Sequence, residues 1–244
     1  MRLKLIERIS VSLVVVLLLT AGLLGVLLYY GYIWVNNPSN ERFPIRGIDV
    51  SEHQGEIDWQ AVRSESFDFA FIKATEGKDH ADAYFHANWR ESEAAGLIRG
   101  AYHFFTFKSP GMEQAENFIS TVPAEAGCLP PVVDIEFGGN SKEVPDSEQL
   151  VKEIGDFIRE IEKHYQILPI IYVNHDSYEA YIGNRFEDCP IWISDFFHTA
   201  KLKDGRPWTF WQYNGRGRVD GIKGFVDLNV FAGNENQLRQ LVSP

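Results

Sequence analysis

Two hydrophobic periodicities alternate along most of the chain. From Ile45 onward, short apolar runs rich in β-branched and aromatic residues are separated by stretches whose apolar residues recur at helical spacing. This alternation is typical of βα units arranged around a parallel sheet. Strands are predicted at residues 45–50, 69–74, 98–105, 132–137, 169–173, 191–196, 208–213 and 225–230. Helices are predicted at residues 59–66, 87–95, 114–121 and 178–182, and in the segment that follows Pro145.

The balance of helices and strands changes along the chain. After Pro190 helical patterns become scarce, whereas strand patterns continue. Eight strands with roughly five helices predict an α/β fold, a barrel whose second half is irregular.

A long hydrophobic segment precedes the alternating part. No charged residue lies between Ile9 and Asn40, and the 25 residues from Val11 to Val35 are almost wholly apolar. As a helix this stretch would be about 37 Å long, more than the roughly 30 Å of a bilayer core. Aromatic residues close it, as in an interfacial belt: Tyr29, Tyr30, Tyr32 and Trp34. The alternative is a cleaved signal peptide, but the apolar run is longer than such peptides carry and no small-x-small cleavage site follows.

The pattern therefore predicts four parts. They are a basic cytoplasmic tail (1–10), a transmembrane signal anchor (11–35), a polar linker (36–44) and a domain (45–244). Three basic residues precede the span, Arg2, Lys4 and Arg8, so the N-terminus is expected in the cytoplasm. We expect a single-pass membrane protein, monomeric, with its domain in a periplasm or outside the cell.

Net charge and cysteine spacing indicate which kinds of partner and bound group are not expected. The net charge is −11, and because residues 1–40 carry +2, the remainder carries −13. An acidic domain repels nucleic acid and anionic head groups, so neither is expected as a partner. Cys128 and Cys189 have neither a CxxC spacing nor a neighbouring histidine, and no cluster or glycine-rich loop predicts a metal or cofactor. Two buried thiols are expected, and a disulfide remains open.

The strand predicted at 132–137 carries two acids, Asp134 and Glu136. Side chains alternate along a strand, so both project from one face with their Cα atoms about 6.6 Å apart. Repulsion between two such carboxylates raises one pKa and leaves a proton donor beside an anion. Acids held by Arg or Lys partners at a strand end are the structural alternative.

Further polar and aromatic residues fall where the predicted strands end, the edge at which barrel enzymes carry their chemistry. Flat aromatic faces and carboxylates together suit sugar rings, which have apolar faces and hydroxyl edges. The candidate catalytic acids besides Asp134 and Glu136 are Asp49 and Asp227. The candidate substrate-binding residues are Lys73, Glu76, Tyr102, Tyr172, Trp192, Trp211 and Gln212.

Six segments in order resemble the Chalaropsis-type lysozymes, glycoside hydrolase family 25, over about residues 45–242. They are Gly47-Ile48-Asp49-Val50-Ser51, Phe71-Ile72-Lys73-Ala74-Thr75-Glu76-Gly77, Arg99-Gly100-Ala101-Tyr102-His103-Phe104, Val133-Asp134-Ile135-Glu136, Trp208-Thr209-Phe210-Trp211-Gln212-Tyr213 and Val226-Asp227-Leu228-Asn229. The chain departs from common family patterns at Glu52-His53-Gln54-Gly55 and at Trp192-Ile193-Ser194, which concerns subsite preference rather than the four acids.

The resemblance implies a modified TIM-like barrel with fewer helices than a full (β/α)₈ barrel. It implies hydrolysis of the β-1,4 bond between N-acetylmuramic acid and N-acetylglucosamine in peptidoglycan glycan strands. By position, Glu136 matches the general acid, Asp134 its partner carboxylate, and Asp49 and Asp227 further acids of the site.

Several alternatives stay open at this point. A retaining, an inverting or a substrate-assisted mechanism fits the spacing of Asp134 and Glu136, and resemblance to other D-x-E glycosidases favours the last. A membrane-tethered peptidoglycan-binding protein without catalysis is the competing function. A phage lysin with a releasable anchor is disfavoured, because Leu and Val dominate the apolar segment.

Overall fold

The computed structural model describes residues 2–137 and 147–242, which contain nine strands and seven helices. The strands are β1 (Arg46–Val50), β2 (Phe69–Glu76), β3 (His80–Ala81), β4 (Ile98–Phe104), β5 (Val132–Ile135), β6 (Ile170–Asn174), β7 (Ile191–Ser194), β8 (Phe210–Gly217) and β9 (Val226–Phe231). The helices are α1 (Arg2–Tyr29), α2 (Trp59–Ser64), α3 (Phe85–Ala94), α4 (Gly111–Thr121), α5 (Ser147–Tyr165), α6 (His175–Ser177) and α7 (Glu235–Leu241). A π-helical turn, Tyr178–Ile182, continues from α6.

Eight of the strands close into a barrel. Their order is β1-β2-β4-β5-β6-β7-β8-β9, and β9 pairs with β1. The predicted barrel is confirmed, and so is its irregular second half, since the described chain has no helix between β7 and β9. All neighbours from β1 to β8 are parallel, but β9 is antiparallel to both β8 and β1. The wholly parallel arrangement expected from the alternation fails here because the connection, residues 218–225, is too short for a crossover helix.

The barrel interior is an apolar plug. Alternate residues of each strand point inward. Away from the ends at which the parallel strands finish, aromatic rings fill the interior, and Phe71 stacks on Trp192 with 4.5 Å between their centroids. Gly47 leaves the space that the ring of Phe69 occupies, because a Cβ there would lie 2.3 Å from that ring. Polar side chains are therefore confined to the last inward positions, at the end of the barrel where the parallel strands finish.

Helices α2 to α5 cover the outside of the sheet. The apolar stripe of α5 is buried as its spacing predicts, including Ile154 and Phe157. His103 faces this layer, stacked on Phe157 and bonded to Thr75 (2.7 Å) and Gln114 (3.2 Å). Burial lowers the pKa of His103 to about 3, so it is a neutral packing residue. His103 thus connects strands β4 and β2 with helix α4.

The predicted and observed bounds of strands and helices differ most in the last third of the chain. The strand predicted at 208–213 begins at Phe210 and continues to Gly217. Helix α7 was not predicted; it is seven residues long and starts with a capping box in which Asn234 and Gln237 bond reciprocally. Cys128 and Cys189 are both buried thiols, as expected, and are not joined in a disulfide.

The N-terminal helix contains one window, Ser12–Tyr29, that is apolar and long enough to cross a membrane, with mean hydropathy 2.5. A signal sequence would meet the same criterion. The polar segment that follows does not stand free of the barrel. The indole Nε1–H of Trp34 donates to the backbone oxygens of Phe196 and Tyr213, both at 3.1 Å, and an Arg46 guanidinium N–H donates to the Pro38 oxygen. Trp34 belongs to the predicted anchor (11–35) and Pro38 to the predicted linker (36–44), so both predicted segments contribute residues that contact the domain.

Candidate active site

Strand β5 delivers two acids to one pocket. Asp134 lies opposite Phe104 of β4 and Tyr172 of β6, and Glu136 follows the strand directly. Both face the open end of the barrel, in a pocket of about 320 Å³. The residues that line it are Asp49, Tyr102, Phe104, Asp134, Glu136, Tyr172, Trp192, Phe196, Gln212 and Asp227.

The environment of the β5 acids favours their protonated forms. Asp134 is 8% exposed, and its Oδ1 accepts no hydrogen bond from the described residues. Burial, followed by the charges of Glu136 and Asp49, raises the pKa of Asp134 well above its usual range. Burial and then Asp49 raise the pKa of Glu136 to about 7, against the opposing effect of Lys73. The two carboxyl groups therefore retain at least one proton between them near neutral pH.

A second pair of acids lies across the pocket. Because β9 runs antiparallel, Asp227 near its start reaches the same edge as Asp49 near the end of β1, and the two residues are direct partners in the ladder. Their side chains are hydrogen bonded to each other. Burial, then the charges of Asp49 and Glu136, raises the pKa of Asp227 well above its usual range. Burial also raises the pKa of Asp49, to about 6, while amide donors lower it.

Those amides belong to two relays that meet on Asp49. The Tyr172 hydroxyl donates to Gln212 Oε1 (2.8 Å), and Gln212 Nε2 donates to Asp49 Oδ2 (2.9 Å). The Trp192 indole donates to Asn229 Oδ1 (2.9 Å), and Asn229 Nδ2 donates to the same Asp49 oxygen (2.7 Å). Two donors on one oxygen stabilise the anion of Asp49, so within the pair Asp227 is the group that holds the proton.

Lys73 and Glu76 lie beside the pocket and not among its lining residues. Their side chains form an ion pair at 2.7 Å. The spacing of three would place them on opposite faces of a regular strand, but the β2–β4 register shifts between Lys73 and Thr75 and turns both to one side. The Lys73 ammonium also lies 5.1 Å from the centre of the Phe104 ring, which lines the pocket.

Trp211 requires a correction. It was predicted to contact sugar, but it is 1% exposed and packs on the outer face of the barrel, against Phe43 and Trp208. Its indole N–H donates to the Asp195 backbone oxygen at 2.9 Å. Gln212 is the next residue of β8 and points inward, so Trp211 necessarily points outward.

Three residues of the pocket were missed. Phe104 and Phe196 form aromatic wall, and Asn229 carries one of the relays. Asn229 follows Asp227 at strand spacing, which could have indicated it. Phe104 likewise follows Tyr102 by two. Phe196 follows Trp192 by four in the strand predicted at 191–196, so the same period could have indicated it, although the strand itself ends at Ser194.

The arrangement separates proton donors from anions within one small cavity. In the described ranges, no group of three or more His, Cys, Asp or Glu side chains could hold a metal ion. A carboxyl group with a pKa near neutrality can donate and take back a proton. A neighbouring carboxylate can stabilise positive charge that develops on a substrate.

A barrel with an acid pair and aromatic walls at the ends of its strands has the groups that cleavage of a glycosidic bond requires. The sequence profile described as "Glycosyl hydrolases family 25" matches residues 48–222. The chain belongs to this family and is a glycoside hydrolase.

Solved and curated relatives agree with the family assignment. A family 25 glycosyl hydrolase from Bacillus anthracis is 41% identical, with a TM-score of 0.81 over 86% of this chain and 98% of that one. A lysozyme from Streptomyces coelicolor is 35% identical, with a TM-score of 0.73 over 81% of this chain and 96% of that one. "Lysozyme M1" of Streptomyces globisporus is 35% identical over 210 residues, which are 82% of this chain and 71% of that protein.

Proposed function

We propose that this protein hydrolyses the β-1,4 bond between N-acetylmuramic acid and N-acetylglucosamine in peptidoglycan, with Glu136 as the general acid and Asp134 as its partner. The observation that carries the proposal is the state of these two groups. Glu136 has a pKa raised to about 7 and lies beside Asp134, which is buried with an oxygen that accepts nothing from the described residues. Names of relatives such as Lysozyme M1 support the choice of substrate.

The unoccupied acceptor on Asp134 favours a substrate-assisted route. In that route Glu136 gives its proton to the glycosidic oxygen as the bond to the anomeric carbon breaks. In this route the proton that the pair retains is on Glu136, and Asp134 is ionised. The oxygen of the substrate's own acetamido group attacks that carbon, and Asp134 Oδ1 accepts a hydrogen bond from the acetamido N–H and stabilises the positive charge of the ring formed. Water then attacks the anomeric carbon, the ionised Glu136 takes its proton, and the acetamido group is released.

The second acid pair tunes the first. Asp49, held anionic by Gln212 and Asn229, raises the pKa of Glu136 and so keeps the acid protonated. Asp227 holds the proton of the Asp49–Asp227 hydrogen bond and offers a polar edge to the sugar. Tyr102, Tyr172 and Trp192 supply further contacts with the sugar, and Lys73 and Glu76 flank the groove.

The N-terminal helix is proposed as an uncleaved membrane anchor, with the N-terminus in the cytoplasm and the domain outside the membrane as a monomer. Its length, apolarity and closing aromatic residues support this. Cell fractionation tests it. We expect the full chain of 27.9 kDa in the membrane pellet, whereas a soluble protein shortened by about 30 residues would show a cleaved signal peptide.

Digestion of purified peptidoglycan tests the activity. The full-length protein in detergent should lower the turbidity of a peptidoglycan suspension, and mass spectrometry of the reduced products should find N-acetylmuramic acid at the new reducing ends. If N-acetylglucosamine is at the reducing ends, the assignment of the bond is wrong. If the protein sediments with peptidoglycan and releases nothing, it is a membrane-tethered binding protein.

A further inference from the structure

The barrel holds the end of α1 by two arginines. Arg216 Nη1 donates to the backbone oxygen of Tyr29 (2.7 Å), and Arg218 Nε donates to that of Tyr30 (2.5 Å). Carbonyls at a helix C-terminus have no partner within the helix and carry the negative end of its dipole, so guanidinium groups are favourable caps. The same cations lie over aromatic rings, Arg216 over Tyr29 at 5.1 Å and Arg218 over Tyr32 at 4.7 Å.

These arginines belong to the end of the barrel that carries the active site. In the β8–β9 ladder Asn214 is opposite Leu228 and Gly217 is opposite Val226. Arg216 therefore lies in the irregular stretch that faces Asp227, one strand spacing of about 4.8 Å away. A Cβ added to the preceding residue, Gly215, would lie 3.2 Å from Asp227 Oδ1. The C-terminus of α1 is thus attached next to the pocket and not to the opposite end of the barrel.

The residues after α1 make a second attachment at the same end. We call residues 30–38 the strap. Trp34 donates to the Phe196 oxygen (3.1 Å) and its ring packs on Phe197, while Asn36 Nδ2 donates to the His198 oxygen (2.8 Å). The loop so held, residues 195–198, presents the Phe196 ring to the pocket. The strap therefore lies at the rim of the pocket as far as Asn36, and then leads away to Pro38, whose oxygen accepts from Arg46 at the start of β1.

Because the strap is bound to the barrel, the domain cannot move as far from the end of α1 as a flexible linker would allow. Sixteen residues separate Tyr29 from Arg46, and as a flexible chain they would let the domain sample distances of about 20–24 Å from the helix end. Contacts at Tyr29, Tyr30, Trp34 and Asn36 instead hold the rim against the end of the helix. The domain and its linker carry −13, which alone would keep them away from an anionic surface. The arginine contacts act against that repulsion.

We propose that the strap fixes the pocket at the membrane surface, so that the substrate is glycan lying against the membrane, in particular glycan chains whose ends are held by a lipid in that membrane. The inference rests on the proposed function and on α1 as the anchor. It specifies which part of the peptidoglycan the pocket can contact. This part is the strands next to the bilayer, and not the strands in remote layers of the wall.

Reconstitution of the full chain in vesicles tests whether the enzyme is restricted to glycan next to the bilayer or also reaches remote glycan. The protein is placed in phosphatidylethanolamine–phosphatidylglycerol vesicles and given three substrates: a soluble glycan oligomer, glycan chains attached to a lipid in the same vesicles, and peptidoglycan fixed on beads. We expect cleavage of the vesicle-bound glycan at least tenfold faster than of the bead-bound glycan, each rate being normalised to that of the full chain in detergent on the same substrate.

A released variant provides the decisive comparison. It combines Arg216→Gln and Arg218→Gln with about 20 Gly/Ser residues inserted between Gly31 and Tyr32, which leaves Trp34 on its loop. It should cleave the soluble oligomer at the wild-type rate, which reports an intact fold, and should cleave the bead-bound glycan at least tenfold faster than wild type does. Arg239→Gln, in the exposed α7 pair with Glu235, is the matched control and should change neither rate.

Two results would overturn the inference. One is equal normalised rates of the wild-type protein on vesicle-bound and bead-bound glycan. The other is a released variant that cleaves the soluble oligomer normally but gains nothing on beads. Failure of the wild-type protein to cleave even the soluble oligomer would instead remove the proposed function, and this inference with it.

Discussion

Asp49 and Asp227 face each other across the antiparallel β1–β9 pair, and their carboxyl groups share a hydrogen bond. Only Asp49 also accepts two amide donors, from Gln212 and Asn229. The pair is therefore unequal, with the negative charge on Asp49 and the proton on Asp227. That charge acts across the pocket on Glu136, whose pKa it raises after burial.

Replacing Asp49 should change the pH dependence of the reaction. Glu136 is active as an acid only while protonated, so the rate should fall as pH rises through about 7. Asp49→Asn removes a charge that raises the pKa of Glu136, and the basic limb of the kcat/KM profile should move to lower pH. Asp156→Asn, on the outer face of α5, is the control. An unshifted limb would show that Asp49 does not act on Glu136.

Replacing Glu136 should abolish turnover and spare binding. Glu136→Gln keeps the shape of the side chain but removes the proton that can be transferred, so kcat should fall by about 10²–10⁴-fold or more. Co-sedimentation with peptidoglycan should persist. Glu179→Gln, at an exposed ion pair with Lys203, should behave as wild type. Clearing of peptidoglycan at a near wild-type rate by Glu136→Gln would refute the catalytic assignment.

The buried acids should make the domain less stable as pH rises. A carboxyl group whose pKa is raised on folding contributes stability that is present below its unfolded pKa and lost as pH rises through its folded pKa. For Glu136 that window runs from 4.5 to about 7, and its ionisation costs up to about 3 kcal/mol. Urea unfolding of Glu136→Gln should show a gain of about 1–3 kcal/mol over wild type at pH 8 and little difference at pH 4. A gain of equal size at both pH values would contradict this.

Two aromatic residues near β7 and β8 should respond in opposite ways to truncation. Trp211→Ala removes a buried ring from the outer face of the barrel and should cost about 3–5 kcal/mol of unfolding free energy, with KM unchanged in the folded fraction. Phe196→Ala opens a wall of the pocket from a loop and should raise KM with a smaller loss of stability. Urea melts and steady-state kinetics on the same preparations measure both. If Trp211→Ala raises KM while remaining stable, Trp211 faces the cleft after all.

Patterns of neighbouring residues predicted the features that depend on neighbouring residues, namely the strands and the faces to which their side chains point. Strand β5 and its two acids follow from alternation and flanking prolines, and the inward direction of Asp134 and Glu136 follows from a period of two. The same period separates Trp211 from Gln212, since adjacent residues of β8 point to opposite faces and only one of them can face the pocket.

The rest depended on distant parts of the chain. Direction of β9 is fixed by the length of one loop, and the place of Phe196 is fixed by contacts with Trp34, 162 residues earlier. A polar, proline-containing segment has the composition of a free linker. Its docking came from Arg216 and Arg218, whose role is visible only when β8 is folded beside the end of α1.

Closure of the barrel by its last strand sets an order on biogenesis. Asp49 and its partner Asn229 are 180 residues apart in sequence, and pairs of such long separation form late, because the entropy of loop closure opposes them. Because the chain is synthesised from its N-terminus, Asp49 cannot bond to Asp227 and Asn229 until β9 has been released. The carboxyl cluster is therefore assembled in the final step. Hydrolytic competence is therefore delayed until β9 is in place, and a nascent chain that still lacks this strand is catalytically silent.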